Sequence, residues 1–197
     1  FKCTSLGEVM IIGVTGMFSS GKDTVAEYLV KKGFTHHSLS DEIRGETQQR
    51  KMSITRDNLI KLGNELRQKN GASVLAEWVK HKLVSGENYV ITSIRNPEEV
   101  RCLENEGDFV LISVTAPIKT RLEWIKARNR ESDPQTLAEL QKKEKIESSS
   151  DPAKQQLHTV EKMASITVRN EGSLDDLYTK VDKLVMDVNA KFHRRPS

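Results

Sequence analysis

An apolar stretch at residues 9–15 runs directly into GMFSSGKDT, where Gly16, Gly21 and Lys22 occupy the frame G-x-x-x-x-G-K. A buried strand that turns through glycines into a helix commits the chain to an α/β arrangement. The rest of the chain keeps the same alternation. Strand-like runs are expected at 9–15, 36–39, 89–94, 109–115 and 166–169, and helix-period stretches at 23–32, 41–51, 55–69, 74–83, 97–106, 119–128, 132–147 and 174–188. Leu59, Leu62 and Leu66 share one helical face, Gly33 and Gly86 end helices, Pro97 opens one, and 148–152 reads as a loop. The fold class expected is therefore α/β with a mainly parallel sheet in a single domain over 10–190, flanked by extensions at 1–9 and 191–197. Met10 would be a natural start.

Charge narrows the function classes. Thirty-one Lys and Arg against 28 Asp and Glu give +3, but Lys191, Arg194 and Arg195 lie in the closing KFHRRPS, so the body is neutral and a nucleic-acid partner is not expected. Cys3 and Cys102 have no Cys or His at metal-ligand spacing, which excludes a zinc site and a disulfide framework and suits a reducing, cytoplasmic setting. The longest apolar runs are far shorter than the roughly 20 residues a membrane span needs, and no signal peptide is expected.

In the G-x-x-x-x-G-K frame, successive N–H groups curl inward as an anion nest, and the N-terminus of the following helix adds a positive field. Gly16, Met17, Phe18, Ser19, Ser20, Gly21 and Lys22 are thus candidates to cradle a nucleotide's phosphates, with Lys22 a mobile charge on the β- and γ-phosphates. The frame expects Ser or Thr after the lysine, as a Mg²⁺ ligand. Here Asp23 and Thr24 follow, so either Asp23 acts through the metal's water shell or Thr24 supplies the hydroxyl. The plain alternative is a glycine-rich turn that binds nothing.

Residues 119–130 carry Lys119, Arg121, Lys126, Arg128 and Arg130 against Glu123 alone. Such a cluster suits a lid over phosphates, because phosphoryl transfer spreads charge over oxygens that must be shielded from water; a solvated basic helix face is the alternative. Residues 98–108 are acidic in compensation.

Taken together, IIGVTGMFSSGKDTVAEYL, LSDEIR (39–44), LIKLGNELRQKNG (59–71), VITSIRNPEEVRCLENEGDFVLISVTAP (90–117), RLEWIKARNR and VRNEGSLDDL (168–177) resemble P-loop small-molecule kinases. The resemblance is to the dephospho-CoA-kinase-like and deoxynucleoside monophosphate kinase branches, including uncharacterised archaeal relatives. The GKDT variant is familiar in the deoxynucleotide and phosphomevalonate kinase branches. The resemblance implies a three-layer P-loop NTPase fold with a five-stranded parallel sheet, a helical acceptor-binding insertion at about 41–85 and a helical lid at about 119–150. It implies ATP and Mg²⁺ as cofactors and a nucleotide-type phosphate acceptor, with the protein a monomer or small homo-oligomer.

By the same resemblance Asp41 lies near the acceptor hydroxyl, Arg44, Arg67, Arg95 and Arg130 face acceptor or phosphate, Arg128 acts at the transferred phosphoryl group, and Asn170 and Gly172 lie along the adenine. Chemistry agrees with these types: a carboxylate orients a hydroxyl nucleophile, and arginine grips phosphate bidentately. For Asp41, an N-cap role is the alternative. One departure concerns the strand at 89–94, which ends in Thr92 and Ser93 where related sequences often place a metal-supporting acid. A catalytically weak ATP-binding regulatory module is therefore the second reading.

Overall fold

The computed structural model describes residues 9–128 and 133–192. Along the chain run β1 (Met10–Thr15), α1 (Lys22–Lys31), β2 (Thr35–Ser38), α2 (Leu39–Gln49), α3 (Arg56–Asn70), α4 (Val74–Lys80) and β3 (Tyr89–Thr92). There follow α5 (Pro97–Glu104), β4 (Asp108–Thr115), α6 (Ile118–Arg128), α7 (Leu137–Glu147), α8 (Leu157–Met163), β5 (Ile166–Arg169) and α9 (Leu174–Phe192).

All six residues of β1 are buried, as expected of a strand covered by helices on both faces. Five strands form one parallel sheet in the order β2-β3-β1-β4-β5. Alternate side chains divide the core into two layers. Ile12, Val14, Val90, Val110 and Ile112 pack with Val25 and Leu29 of α1 and Val181 and Leu184 of α9. Ile11, Ile91 and Leu111 face the other way, onto Leu39, Leu62, Leu75, Val100 and Val160 from α2, α3, α4, α5 and α8. Gly13 lies at the sheet's centre, paired with Ile91 and Leu111, and a side chain there would strike the Phe109 ring. A separate small cluster, Leu122, Ile125 and Leu140, joins α6 to α7, with Phe18 packed against it.

The three-layer α/β expectation matches this architecture, with differences in detail beyond small shifts such as α4 ending at Lys80. First, α8 lies where the sequence reading has no element; its seven residues carry only Leu157 and Val160 as buried anchors. Second, the helix expected over 132–147 begins at Leu137, because Thr136 and Glu139 close a capping box there. Third, β3 stops at Thr92, since Ser93 takes a left-handed φ of 63° and turns the chain out of the sheet. Fourth, the described structure begins one residue before Met10 and the last helix runs past the expected 188. Val9 is fully buried and its carbonyl accepts from Asp108 N–H, while α9 runs to Phe192, so the basic tail beyond it lies outside the described residues.

Among the described residues no helix is long and apolar enough to cross a membrane.

Candidate functional site

The β1–α1 turn has the backbone its glycines anticipate. Gly16 and Gly21 adopt φ of 139° and 97°, and a Cβ would run into the Val114 carbonyl at the first and the Asn170 amide at the second. Only glycine meets both demands. Gly21 is the N-cap of α1 and supplies no side-chain cap, leaving the helix's first N–H groups without a side-chain acceptor. Two further fixings hold the loop. Asn170, just past β5, is buried and donates to the Ser20 carbonyl at 3.1 Å; Arg121 of α6, also buried, donates to the Phe18 carbonyl at 2.9 Å and pairs with Glu144.

Lys22 curls back over this loop, its Nζ donating to the Met17 carbonyl at 2.6 Å. Burial, and after it the nearby Arg95 charge, lower its pKa from 10.5 to about 8, against the opposing pull of Asp23, Glu147 and Glu161. Glu161 of α8 accepts from the Met17 N–H, and burial pushes its own pKa up.

The loop floors a cleft of about 810 Å³. Ser19, Ser20, Gly21, Lys22, Asp23 and Thr24 line one part of it, and Ser38, Ser40, Asp41, Arg44, Thr92, Ser93 and Arg95 another, at the carboxyl ends of β2 and β3. Ligands gather at such strand ends in open parallel sheets. Phe18, Trp124, Arg128 and Asp133 form the wall beneath α6, and Asn170, Gly172, Leu174 and Leu177 close the far side. Gly172 is kept small by the Asp176 carboxylate, which accepts from the Ser173 N–H at the start of α9.

Of the residues singled out in the sequence, most meet in this one cleft. Met17 serves through its backbone, as described above. Asp41 does not cap α2; Ser38 holds the N-cap position, and exposed Asp41 pairs with exposed Arg44 at 2.6 Å. Arg128 grips Asp133 through two hydrogen bonds of 2.6 and 2.9 Å and lies over the Phe18 ring. Arg130 lies outside the described residues. Arg67 departs from expectation: it does not face the cleft but is buried, donating at 2.9 and 2.7 Å to the fully buried Glu99. Glu99 also accepts from the Arg95 and Asn96 N–H groups as the capping box of α5, so Arg67 neutralises a structural carboxylate.

Sequence reasoning passed over Arg56 and Glu147. Glu147, at the end of α7, is buried and pairs with Arg56 of α3 and, at 2.9 Å, with Arg95. Burial alone would raise its pKa, but Arg95, Arg56 and Lys22 together hold it below the usual carboxylate value. His36, which also lines the cleft, lies 2.9 Å from the Thr92 hydroxyl, the position where an acid was missed.

The residues fit a nucleoside triphosphate: the first N–H groups of α1 have no side-chain acceptor, Lys22 lies across the loop, and the Ser20 hydroxyl is buried without a partner. For Mg²⁺ the cleft offers Thr24, Asp23 and the Thr92 hydroxyl, and no cluster of three His, Cys, Asp or Glu exists among the described residues. A sparse hydroxyl and carboxylate set suits a cation that keeps waters and takes its other ligands from phosphates.

A family model described as AAA domain matches residues 12–148. A UPF0200 protein of Thermococcus kodakarensis is 32% identical over 189 residues, 92% of this chain and 100% of that one. Among solved structures, shikimate kinase from Acinetobacter baumannii in complex with shikimate superposes with a TM-score of 0.55 at 17% identity, covering 91% of this chain and 94% of that one. A gluconokinase from Sinorhizobium meliloti gives a TM-score of 0.53 at 14% identity, covering 92% and 97%. At such identities the two structural likenesses show a shared fold.

Proposed function

The chain belongs to the AAA-domain family and to the UPF0200 proteins, and from that premise we propose that it transfers a phosphoryl group from ATP to a small nucleotide-type acceptor, dephospho-CoA or a (deoxy)nucleoside monophosphate. The observation that carries this reading is the single cleft in which the phosphate loop and a second set of cationic and hydroxyl side chains face one another. A sensor of ATP would need only the first half.

In this reading Lys22 and the loop N–H groups hold the β- and γ-phosphates, and Asn170 and Gly172 border the adenine. Asp41 orients and accepts from the acceptor hydroxyl, while Arg44 and Arg95 hold its anionic group. Arg128, with Arg130 nearby in sequence, comes over the transferred group as α6 and α7 close. Asp23 and Thr24 would hold Mg²⁺, which would supply charge neutralisation at the phosphates. Residues 41–85 are the acceptor-binding part and 119–150 the lid. Each residue holds charge or orientation, and positioning with electrostatic stabilisation is what phosphoryl transfer requires.

The test is an Mg-ATP-dependent screen of dephospho-CoA and the common nucleoside monophosphates, read by mass spectrometry. One phosphorylated product, abolished by Lys22→Ala, is expected; intact ATP binding with no turnover on any of them favours the regulatory module, a reading the absent acid at Thr92 and Ser93 keeps in play. Arg128→Ala should lower turnover on the order of a thousandfold while altering ATP affinity far less; equal losses in both would contradict its lid role.

A further inference from the structure

Three cations from three different elements surround the one buried carboxylate of Glu147. Arg56 comes from α3, Arg95 from the turn after β3, and Lys22 from the start of α1. Glu147 itself is only 2% exposed, whereas the Arg56 and Arg95 side chains are 31% and 22% exposed and line the cleft. Apart from Glu147, Arg95 is bonded through its guanidinium to a neutral group, Gln155 at 3.2 Å, and Arg56 lies against the Phe18 ring. Glu147 is thus the shared ion-pair partner of both guanidiniums, while Asp23 and Glu161 add negative charge near Lys22, and both arginines line the cleft.

We propose that Arg56 and Arg95 form a phosphate subsite whose internal counter-ion is Glu147, and that the anion it takes is a doubly charged phosphate group. A tethered carboxylate competes with the advantage of an intramolecular partner, equivalent to millimolar or greater concentration. A free singly charged carboxylate gains nothing over it. A phosphate brings a second charge and three acceptor oxygens, enough to engage both guanidiniums at once. Glu147 thus sets a charge threshold: it keeps the two arginines ordered in the empty protein and favours phosphomonoesters over carboxylates as occupants. The same chemistry belongs to the terminal phosphate of ATP and to the phosphate of an acceptor, and only the choice between those sources rests on the kinase reading.

Calorimetric titrations of the full chain with ATP, with ADP, and with thymidine monophosphate in the presence of ADP separate the cases. Glu147→Gln, which keeps the shape and removes the charge, should tighten binding by about tenfold or more, and Arg56→Gln should weaken the same titration. A gain for ATP but not ADP identifies the donor's terminal phosphate; a gain for the monoester alone identifies the acceptor. Glu147→Gln that leaves every affinity unchanged or lowers it overturns the proposal and makes Glu147 a positioning group for the arginines. Should Glu147→Gln fail to fold, Glu147→Asp retains the charge on a shorter arm, and an increased affinity is still required. Absence of turnover alongside a tightened phosphate titration would remove the kinase reading and leave the subsite standing.

Discussion

Lys22 stands at about 8 in the empty fold against an ordinary 10.5, and the sign of its linkage is fixed by that difference. Between those two values the unfolded chain holds a proton that the folded chain has released, so stability should rise with pH across this window. A polyphosphate arriving on the loop restores the charged form. Binding of ATP near pH 8.5 should therefore take up protons and near pH 7 almost none, measurable as a buffer-dependent binding enthalpy; pH-independent uptake would show that Lys22 does not meet the phosphates. Gly21 makes a second prediction. Gly21→Ala would add the left-handed penalty of about 1–2 kcal/mol and push on Asn170, so ATP binding should weaken by about tenfold or more, while the cooperative melt is retained.

At the scale of elements, the two arginines Arg44 and Arg67 show what a sequence can and cannot say. Both are basic residues on polar helices that follow the same strand, and both read as acceptor-facing. Only the fold reveals that Glu99, 32 positions further on, draws Arg67 inside. Arg67→Ala should cost about 3–5 kcal/mol, since it strands a buried carboxylate, and lower the melting temperature by about 10 °C. Arg44→Ala, on the surface, should leave the melt unchanged within about 1 kcal/mol. Local signals are legible where one element contains its own cause: the glycine turn between β1 and α1, Pro97 at the start of α5, and the Leu62 and Leu66 face of α3. They fail where the cause is remote. The Arg56–Glu147 pair spans 91 positions, and α8 is held by Leu157 and Val160 meeting a layer built from other elements.

For the whole molecule, the near-neutral balance of +3 conceals a division of charge. The cleft gathers Lys22, Arg44, Arg56, Arg95 and Arg128 with Asp23, Asp41 and Asp133, whereas α2 and α4 border a second groove where Asp41, Glu42 and Glu46 outnumber Lys82. A concave, mixed-sign surface of this kind focuses charge onto one small polyphosphate rather than along a duplex. A gel-shift titration in low salt should consequently show no retardation of duplex or single-stranded DNA at concentrations that saturate ATP binding. Retardation that weakens steeply with salt would instead mark polynucleotide binding.

The chain has two tryptophans, and they stand in different places: Trp124 forms part of the cleft wall, while Trp78 lies on the α4 side against the other core layer. The molecule is thereby supplied with its own optical gauge. Trp78→Phe would leave one indole whose emission reports directly on what enters the cleft, without dye or label, and at the speed of a stopped-flow mixing experiment.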